Sequence, residues 1–416
     1  MKTNNQKITP GATHTYFYDG WLLVKETRHP AASRSRKARE QLETRHPAAS
    51  LLGSDAAGSR VSMEVYGAGS RVSMERVLRA CPRDCHAGAF FGIIFAMNTK
   101  ILSLLAAGVS LAGCVCCDYG VNCKDPVVGN WGLKLGYDSM NAGHMIVSRD
   151  ADGNAQALVL WRWASPEPMK NVVLDGNKFS FDHPWGFKVE GQIDGNKLAA
   201  TATKNDGNLE TTVVGWRNPV LKPASTKDAK LGEPIDLLAN GLDGWELMDK
   251  NAKNGWSFKD GVLSNTLGLK PDGSWAGGGA NLMSKRADFY DFNLEYDVRV
   301  PKNSNSGVYL RGRYECQVVD SYGKPVNEHN MAASYGRVVP KSAAEKKPGE
   351  WQHVSVTLYK RHLTVVLNGT TIIDNAPVVG VTGGAIDANE FVPGPIYLQG
   401  DHSDADFKNM ILRPAK

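Results

Sequence analysis

Residues 235–416 lack helical periodicity: nowhere do apolar residues keep the three- and four-residue spacing of a helix face. A helical fold is thereby excluded for that part of the chain. Long apolar runs are also scarce, and the stretch from Ile101 to Leu111 is too short to cross a bilayer comfortably as a helix. Net positive charge is missing from the body. The formal net charge of +5 arises in residues 1–96, which hold 14 Lys+Arg against 8 Asp+Glu, a net of +6, so the remaining 320 residues sum to −1. That balance leaves no basic footprint for nucleic acid, and no nucleic-acid partner is expected. Cysteine runs out early: of seven, only Cys316 lies beyond residue 123. It falls on the apolar side of its strand and reads as a small buried hydrophobe, not a nucleophile.

What the chain does have is turn-forming sequence. Its 43 glycines and recurrent Asp-Gly and Asn-Gly pairs favour β-rich architecture, and 416 residues allow two or three domains. Residues 1–96 look unlike a domain. "ETRHPAAS" occurs at 26–33 and 43–50, and "AGSRVSME" at 57–64 and 68–75, with no sustained period of apolar residues. Two copies of each unit would bury little, so this segment is expected to be disordered or an extension upstream of the true start. Cys81 and Cys85 lack companions at zinc spacing. At Met97 begins "MNTKILSLLAAGVSLAGC", with Lys100 ahead of the apolar stretch and Leu111-Ala112-Gly113-Cys114 at its end. This ending resembles the bacterial lipoprotein box. It implies a signal peptide over 97–113, lipidation of Cys114, and a tether over 114–124 that carries Cys116, Cys117 and Cys123. The expected location is the bacterial cell envelope, at the outer membrane or periplasmic face, with membrane contact through the lipid anchor.

Two β domains follow. Over 125–220, segments such as "HMIVS", "QALVLWRW", "KFSFD", "FKVEGQI", "KLAATAT" and "ETTVVGW" alternate and are separated by Asp152-Gly153, Asp175-Gly176, Asp194-Gly195 and Asp206-Gly207. Successive hairpins of this kind predict a small antiparallel β barrel or sandwich. His144, His183, Trp161, Trp163 and Trp185 read first as core aromatics, with sugar stacking as the alternative. Residues 221–234 read as a linker. Over 235–416, "NLEYDVRV", "WQHVSVTLY", "HLTVVLNG" and "FKNMILRP" are further two-faced strands, which suits a two-sheet jelly roll.

"SGVYLRGRYECQVVDSYG", 306–323, reads as one strand with a polar stripe. Tyr309, Arg311, Arg313, Glu315 and Gln317 share one parity; Val308, Leu310, Tyr314, Cys316 and Val318 share the other. In a generic sheet such a stripe is a solvated face. In "YLQGDHSDADFKN", Tyr397, Gln399 and Asp401 share a face, with His402 at or past the strand end. Glu295, Asp297 and Arg299 form a third polar row, read as an outer or rim face.

"NSGVYLRGRYECQVVDSYG", "PGEWQHVSVTLYKRHLTVVLNGT" and "GPIYLQGDHSDADFKNMILRP" resemble, in order and spacing, the hallmark blocks of the 3-keto-disaccharide hydrolase family. The opening "PIDLLANGLDGWELMD" is similar to that family's usual start. The resemblance implies an all-β chain ending in a concanavalin-like two-sheet jelly roll, and cleavage of 3-keto-glycosides by 1,2-elimination with rehydration. Such chemistry needs a base near C2, donors near the C3 oxygen and an acid for the leaving group, but no nicotinamide cofactor. On that reading Glu315, His402 and Arg311 are the catalytic candidates, with Glu315 as base, metal ligand or arginine partner. Arg313, Tyr309, Gln317, Asp320, Gln399 and Asp401 are candidates for binding the carbohydrate substrate. A divalent metal such as Ca²⁺ is compatible with these groups, though no spacing identifies one. The alternative function is a non-catalytic carbohydrate-binding jelly-roll module.

Overall fold

Tight turns set the topology. Gly176 and Gly195 each hold φ at +57° at hairpin tips, with nothing near enough to obstruct a Cβ, so backbone freedom alone requires glycine there. The computed structural model describes residues 125–416, together with the backbone of a ribbon pairing β1 (Glu64–Gly67) with β2 (Ser70–Ser73). The remainder of 1–96 and the segments expected as a signal peptide over 97–113, a lipidation site at Cys114 and a tether over 114–124 lie outside the described residues.

Nine strands follow: β3 (Gly129–Leu135), β4 (Ala142–Arg149), β5 (Ala155–Trp161), β6 (Glu167–Pro168), β7 (Lys170–Asp175), β8 (Lys178–His183), β9 (Phe187–Asp194), β10 (Lys197–Lys204) and β11 (Leu209–Arg217). They form one sheet in the order β6-β5-β4-β3-β11-β10-β9-β8-β7, nearly closed into a barrel. Its interior is filled by alternate side chains, among them Trp131, Leu133, Met145, Phe181 and Val189.

The jelly roll is a sandwich of two antiparallel sheets. The larger contains β12 (Ile235–Asp236), β14 (Trp256–Lys259), β15 (Val262–Asn265), β17 (Phe292–Arg299), β20 (Gln352–Tyr359), β21 (His362–Leu367), β22 (Thr370–Pro377) and β24 (Ala405–Pro414). The smaller runs β13 (Trp245–Leu247), β16 (Leu282–Ser284), β23 (Tyr397–Leu398), β18 (Asn305–Leu310), β19 (Tyr314–Val319). Period-two patterning decides which faces meet. Phe292, Leu294, Tyr296 and Val298 of β17 are wholly buried against Val308, Leu310 and Cys316 of the smaller sheet. On the outer face of β17, Glu295 meets Arg413 at 3.2 Å, Asp297 meets His353 at 2.8 Å and Arg299 meets Asp406 at 2.7 Å. This third polar row is therefore an ion-paired surface. Cys316 is buried packing, with its thiol pushed up to about 12 by burial.

The linker is pinned, not loose. Thr226 N–H donates to Asn375 Oδ1 at 2.8 Å, and its hydroxyl lies 2.6 Å from that of Thr364. Barrel and sandwich belong to one compact unit. Between them sits a small core of Ala142, Leu160, Val381, Ala385 and Ala388, and Asn218 donates to Glu390 Oε2 at 3.0 Å. Among the described residues no helix is long and apolar enough to cross a membrane.

Candidate active site

The segment expected as one strand is a hairpin. Arg311 and Gly312 both adopt left-handed backbone, φ +54° and +66°, and turn β18 into β19. A left-handed arginine carries a steric cost on the order of 1 kcal/mol. Burial of its side chain holds it in place: the guanidinium lies over Tyr290 and Tyr314, and Nη2 donates to Tyr314 Oη at 2.9 Å. Across the turn Tyr309 pairs with Glu315 and Val308 with Cys316, so parity is kept on both strands. The polar and apolar sides are therefore sorted as the sequence suggests, but the polar side is buried.

A cleft of about 380 Å³ opens over that side. Tyr309, Glu315, Tyr397, Gln399, Asp401 and His402 line it, as do Asn305, Tyr335 and Gly383-Gly384. Tyr309 and Tyr397 are cross-strand partners whose rings stack at 4.0 Å with an interplanar angle of 10°. Glu315 is 4% exposed. A strand glycine makes room for it: a Cβ at Gly307 would come within 3.0 Å of Glu315 Cδ.

Burial decides the protonation of Glu315. It pushes the carboxyl up to about 8; a hydrogen bond with Tyr309 works against this, and the Asp401 charge adds to it. The geometry admits this. Tyr309 Oη lies 2.8 Å from Glu315 Oε2 and 2.7 Å from the Gly383 carbonyl, which can only accept. Tyr309 has one phenol proton for these two acceptors: given to Glu315 it favours the carboxylate, and given to Gly383 it leaves room for a protonated Glu315 to donate in turn.

Beyond the end of β23, backbone bonds fix the loop that carries Asp401. Asn281 Oδ1 accepts from Gly400 N–H at 2.7 Å, and the Asp401 carbonyl accepts from Gly278 N–H at 2.8 Å. His402 Nδ1 lies 2.5 Å from Asp401 Oδ1, and this bond raises the histidine above its ordinary value. Its side chain stays 48% exposed, open to solvent. Asn305 Oδ1 and Gln399 Oε1 are buried and have no hydrogen-bond partner among the described residues. Two such acceptors in a cleft wall suit ligand hydroxyls. Among the described residues no group of three or more His, Cys, Asp or Glu converges as a metal site.

Four sequence candidates lie elsewhere. Arg311 belongs to the turn and to a buried cluster with Tyr314 and Glu390. Arg313 makes a two-toothed ion pair with Asp387, at 2.8 and 2.7 Å, and donates to the Arg311 carbonyl at 2.9 Å. Both left the stripe because the turn, not a strand, holds them. Gln317 is covered by the Ala332-Ala333 segment, whose backbone bonds to it on both sides. Asp320 caps a loop, accepting from Asn303 N–H at 2.9 Å.

Asn305, Tyr335 and Gly307 escaped the sequence reading. Gly307 was legible as a glycine inside a strand; Tyr335 arrives on a loop with no local signal. Its hydroxyl is raised by burial and by the Glu315 charge. Gly307→Ala is expected to displace the Glu315 carboxyl and reduce kcat by about tenfold or more, because misplacing a reacting group by ~1 Å is that costly. Turnover measured beside thermal unfolding separates this from loss of fold.

A buried acid, a histidine–carboxylate pair and unpaired acceptors share one concave site of an all-β sandwich, an arrangement suited to a carbohydrate ligand. Residues 234–413 match the family model of the 3-keto-alpha-glucoside-1,2-lyase-like domain. No curated protein sequence gives a match. Among solved structures, a Parabacteroides distasonis protein described as a glycosyl hydrolase is 24% identical, covering 48% of this chain and 94% of its own, with TM-score 0.35. A second such protein from that organism is 19% identical, with 44% and 94% coverage and TM-score 0.35. The carbohydrate binding module CBM66 from Bacillus subtilis is 16% identical, with 41% and 95% coverage and TM-score 0.29.

Proposed function

We propose that the protein cleaves 3-keto-glycosides by 1,2-elimination, followed by addition of water. The ketone at C3 acidifies the C2 proton. In this reading the His402–Asp401 dyad removes that proton and the electron pair forms an enolate. Collapse of the enolate to a C1–C2 double bond conjugated with the ketone expels the C1 oxygen, which takes its proton from Glu315. Water then adds across the double bond, oxygen to C1 and hydrogen to C2, and net hydrolysis results. Both residues return to their starting protonation once His402 passes its proton on and Glu315 regains one.

The observation that carries the proposal is the buried Glu315, its carboxyl pushed up to about 8, in a cleft that also holds a histidine–carboxylate pair. Two titratable groups with opposite demands suit an acid–base division of labour. The family match over 234–413 supports the substrate class. The test incubates the full chain with 3-keto-disaccharides and aryl 3-keto-glucosides of both anomers, with and without added Ca²⁺ or other divalent ions. Release of the leaving group is expected. Binding of unmodified glycans with no release from any 3-keto substrate would decide for a carbohydrate-binding module instead.

A further inference from the structure

The cleft has a wall that the jelly roll does not supply. Met140, Trp163 and Ala164, all from the barrel, line it opposite Glu315 and His402. The segment carrying Trp163 is held with unusual rigour. Arg162 and Ala164 both take left-handed backbone, at φ +70° and +67°, a costly conformation for side-chain-bearing residues. Contacts with the jelly roll fix it: the Arg162 carbonyl accepts from Gly384 N–H at 2.9 Å, and Ser165 Oγ lies 2.6 Å from His329 Nε2. The approach is so close that a Cβ at Gly383 would stand 2.7 Å from Ala164 N, and one at Gly336 would stand 2.6 Å from Ser165 Oγ. Arg162 braces the loop from the barrel side by donating to the Met140 and Ser139 carbonyls. So much constraint leaves Trp163 45% exposed in the cleft wall, with the Arg162 guanidinium 4.1 Å over its ring.

Trp163 does not stand alone. Its ring stacks with Trp185 at a centroid distance of 6.3 Å and 26° between planes, and Trp185 is itself 41% exposed. Trp185 then lines a second groove of about 420 Å³, together with Lys204, Asn205, Asp206 and Glu210. An aromatic step thus leads from the candidate active site to a groove rich in hydroxyl-binding side chains. Indole faces pack against the C–H faces of pyranose rings, while carboxylates, amides and ammonium groups bind their hydroxyls.

We propose that the barrel carries the leaving-group subsite of the enzyme, and that the leaving group is a sugar or short glycan, seated on Trp163 and Trp185 with its far end in the groove of Lys204, Asn205, Asp206 and Glu210. The inference rests on the cleavage reading for the ring that sits over Glu315. It adds a binding role for the barrel, which lies outside the matched residues 234–413 and supplies Met140, Trp163 and Ala164 to the cleft. The barrel is thereby part of the binding site.

Two readouts test it on the full chain. The first compares kcat/KM for a 3-keto-disaccharide with that for methyl 3-keto-glucoside and an aryl 3-keto-glucoside. The ratio of disaccharide to methyl glucoside is expected to fall about fivefold or more in Trp163→Ala and in Trp185→Ala, and to recover in Trp163→Phe. An unchanged ratio in both alanine variants overturns the subsite. A fall confined to the aryl substrate overturns the sugar assignment. The second readout needs no turnover: calorimetric binding of trehalose, cellobiose and maltose against glucose. At least one disaccharide is expected to bind about fivefold more tightly than glucose, and Trp163→Ala to erase that gain. Absence of any gain, or its persistence in the variant, overturns the subsite even if 3-keto-glycosides are cleaved. Failure of every 3-keto substrate with the disaccharide gain intact would instead refute the cleavage reading and leave the sugar platform standing.

Discussion

Glu315→Gln should lower kcat on a 3-keto-glycoside by about a hundredfold, the lower end of the range for losing a general acid. The amide keeps the volume and the hydrogen bond to Tyr309, so the fold should persist. What disappears is the proton for the leaving group, and with it the alkaline limb of the pH–rate profile, which in the unaltered protein should fall off near the value of about 8 that burial imposes. Substrates whose leaving groups need no protonation, such as nitrophenolates, should lose much less; an equal loss on both would remove Glu315 from the role of acid. Stability gives an independent check with a definite sign. The folded-state value of Glu315 is raised above its ordinary 4.5 to about 8. The folded protein therefore keeps a proton that the unfolded chain gives up, and stability declines as pH rises between those two values. The glutamine variant cannot ionise. Urea unfolding of the two proteins should show the unaltered chain losing ground to the variant from about pH 4.5 to about 8, with no further divergence above it.

The same residue shows how far sequence reasoning reaches. Period-two alternation placed Tyr309 and Glu315 on one side and Val308 and Cys316 on the other, and both pairs are indeed cross-strand neighbours. The alternation survives the turn because Tyr309 and Glu315 lie six positions apart, an even offset. The turn itself was invisible, since Arg-Gly carries none of the asparagine or aspartate signal that marks tight hairpins. Treating 306–323 as one strand therefore put Arg311 and Arg313 over the site, although the turn sends them to Tyr314 and Asp387. Their absence from the cleft matters for the chemistry: with the arginines turned away, burial governs Glu315. The outer row of Glu295, Asp297 and Arg299 was readable because it depends only on strand parity. Trp163 was not readable, and core packing seemed its more natural role. Its neighbour in parity, Trp161, is buried at 2% exposure, and only the close approach of Gly383 to Ala164 reveals why the chain turns out of the barrel just beyond it. Such juxtapositions join residues more than two hundred positions apart, and no local pattern records them.

His402→Ala carries the other large expected effect, a loss of about ten- to a hundredfold in kcat with little change in unfolding temperature, since the side chain is 48% exposed and fills no core. The more discriminating change is Asp401→Asn. The short bond from Asp401 is the leading cause of the raised His402 value. A histidine that must be neutral to take the C2 proton works only above that value, so it sets the acid limb of the pH–rate profile. Replacing the carboxylate by an amide removes the charge that favours imidazolium, and the limb should move toward lower pH. At the same time the neutral histidine becomes a weaker base, so the plateau should fall even as the active range widens. A rim residue that merely touches the sugar would give a different result: KM would rise and the limb would stay where it is. Primary isotope effects at C2 sharpen the contrast, because weakening the base that breaks the C2–H bond should enlarge the effect on kcat, whereas loss of a binding contact should leave it unaltered. An unmoved limb and an unaltered isotope effect in Asp401→Asn would transfer the role of base away from this dyad, while leaving Glu315 and its proton untouched.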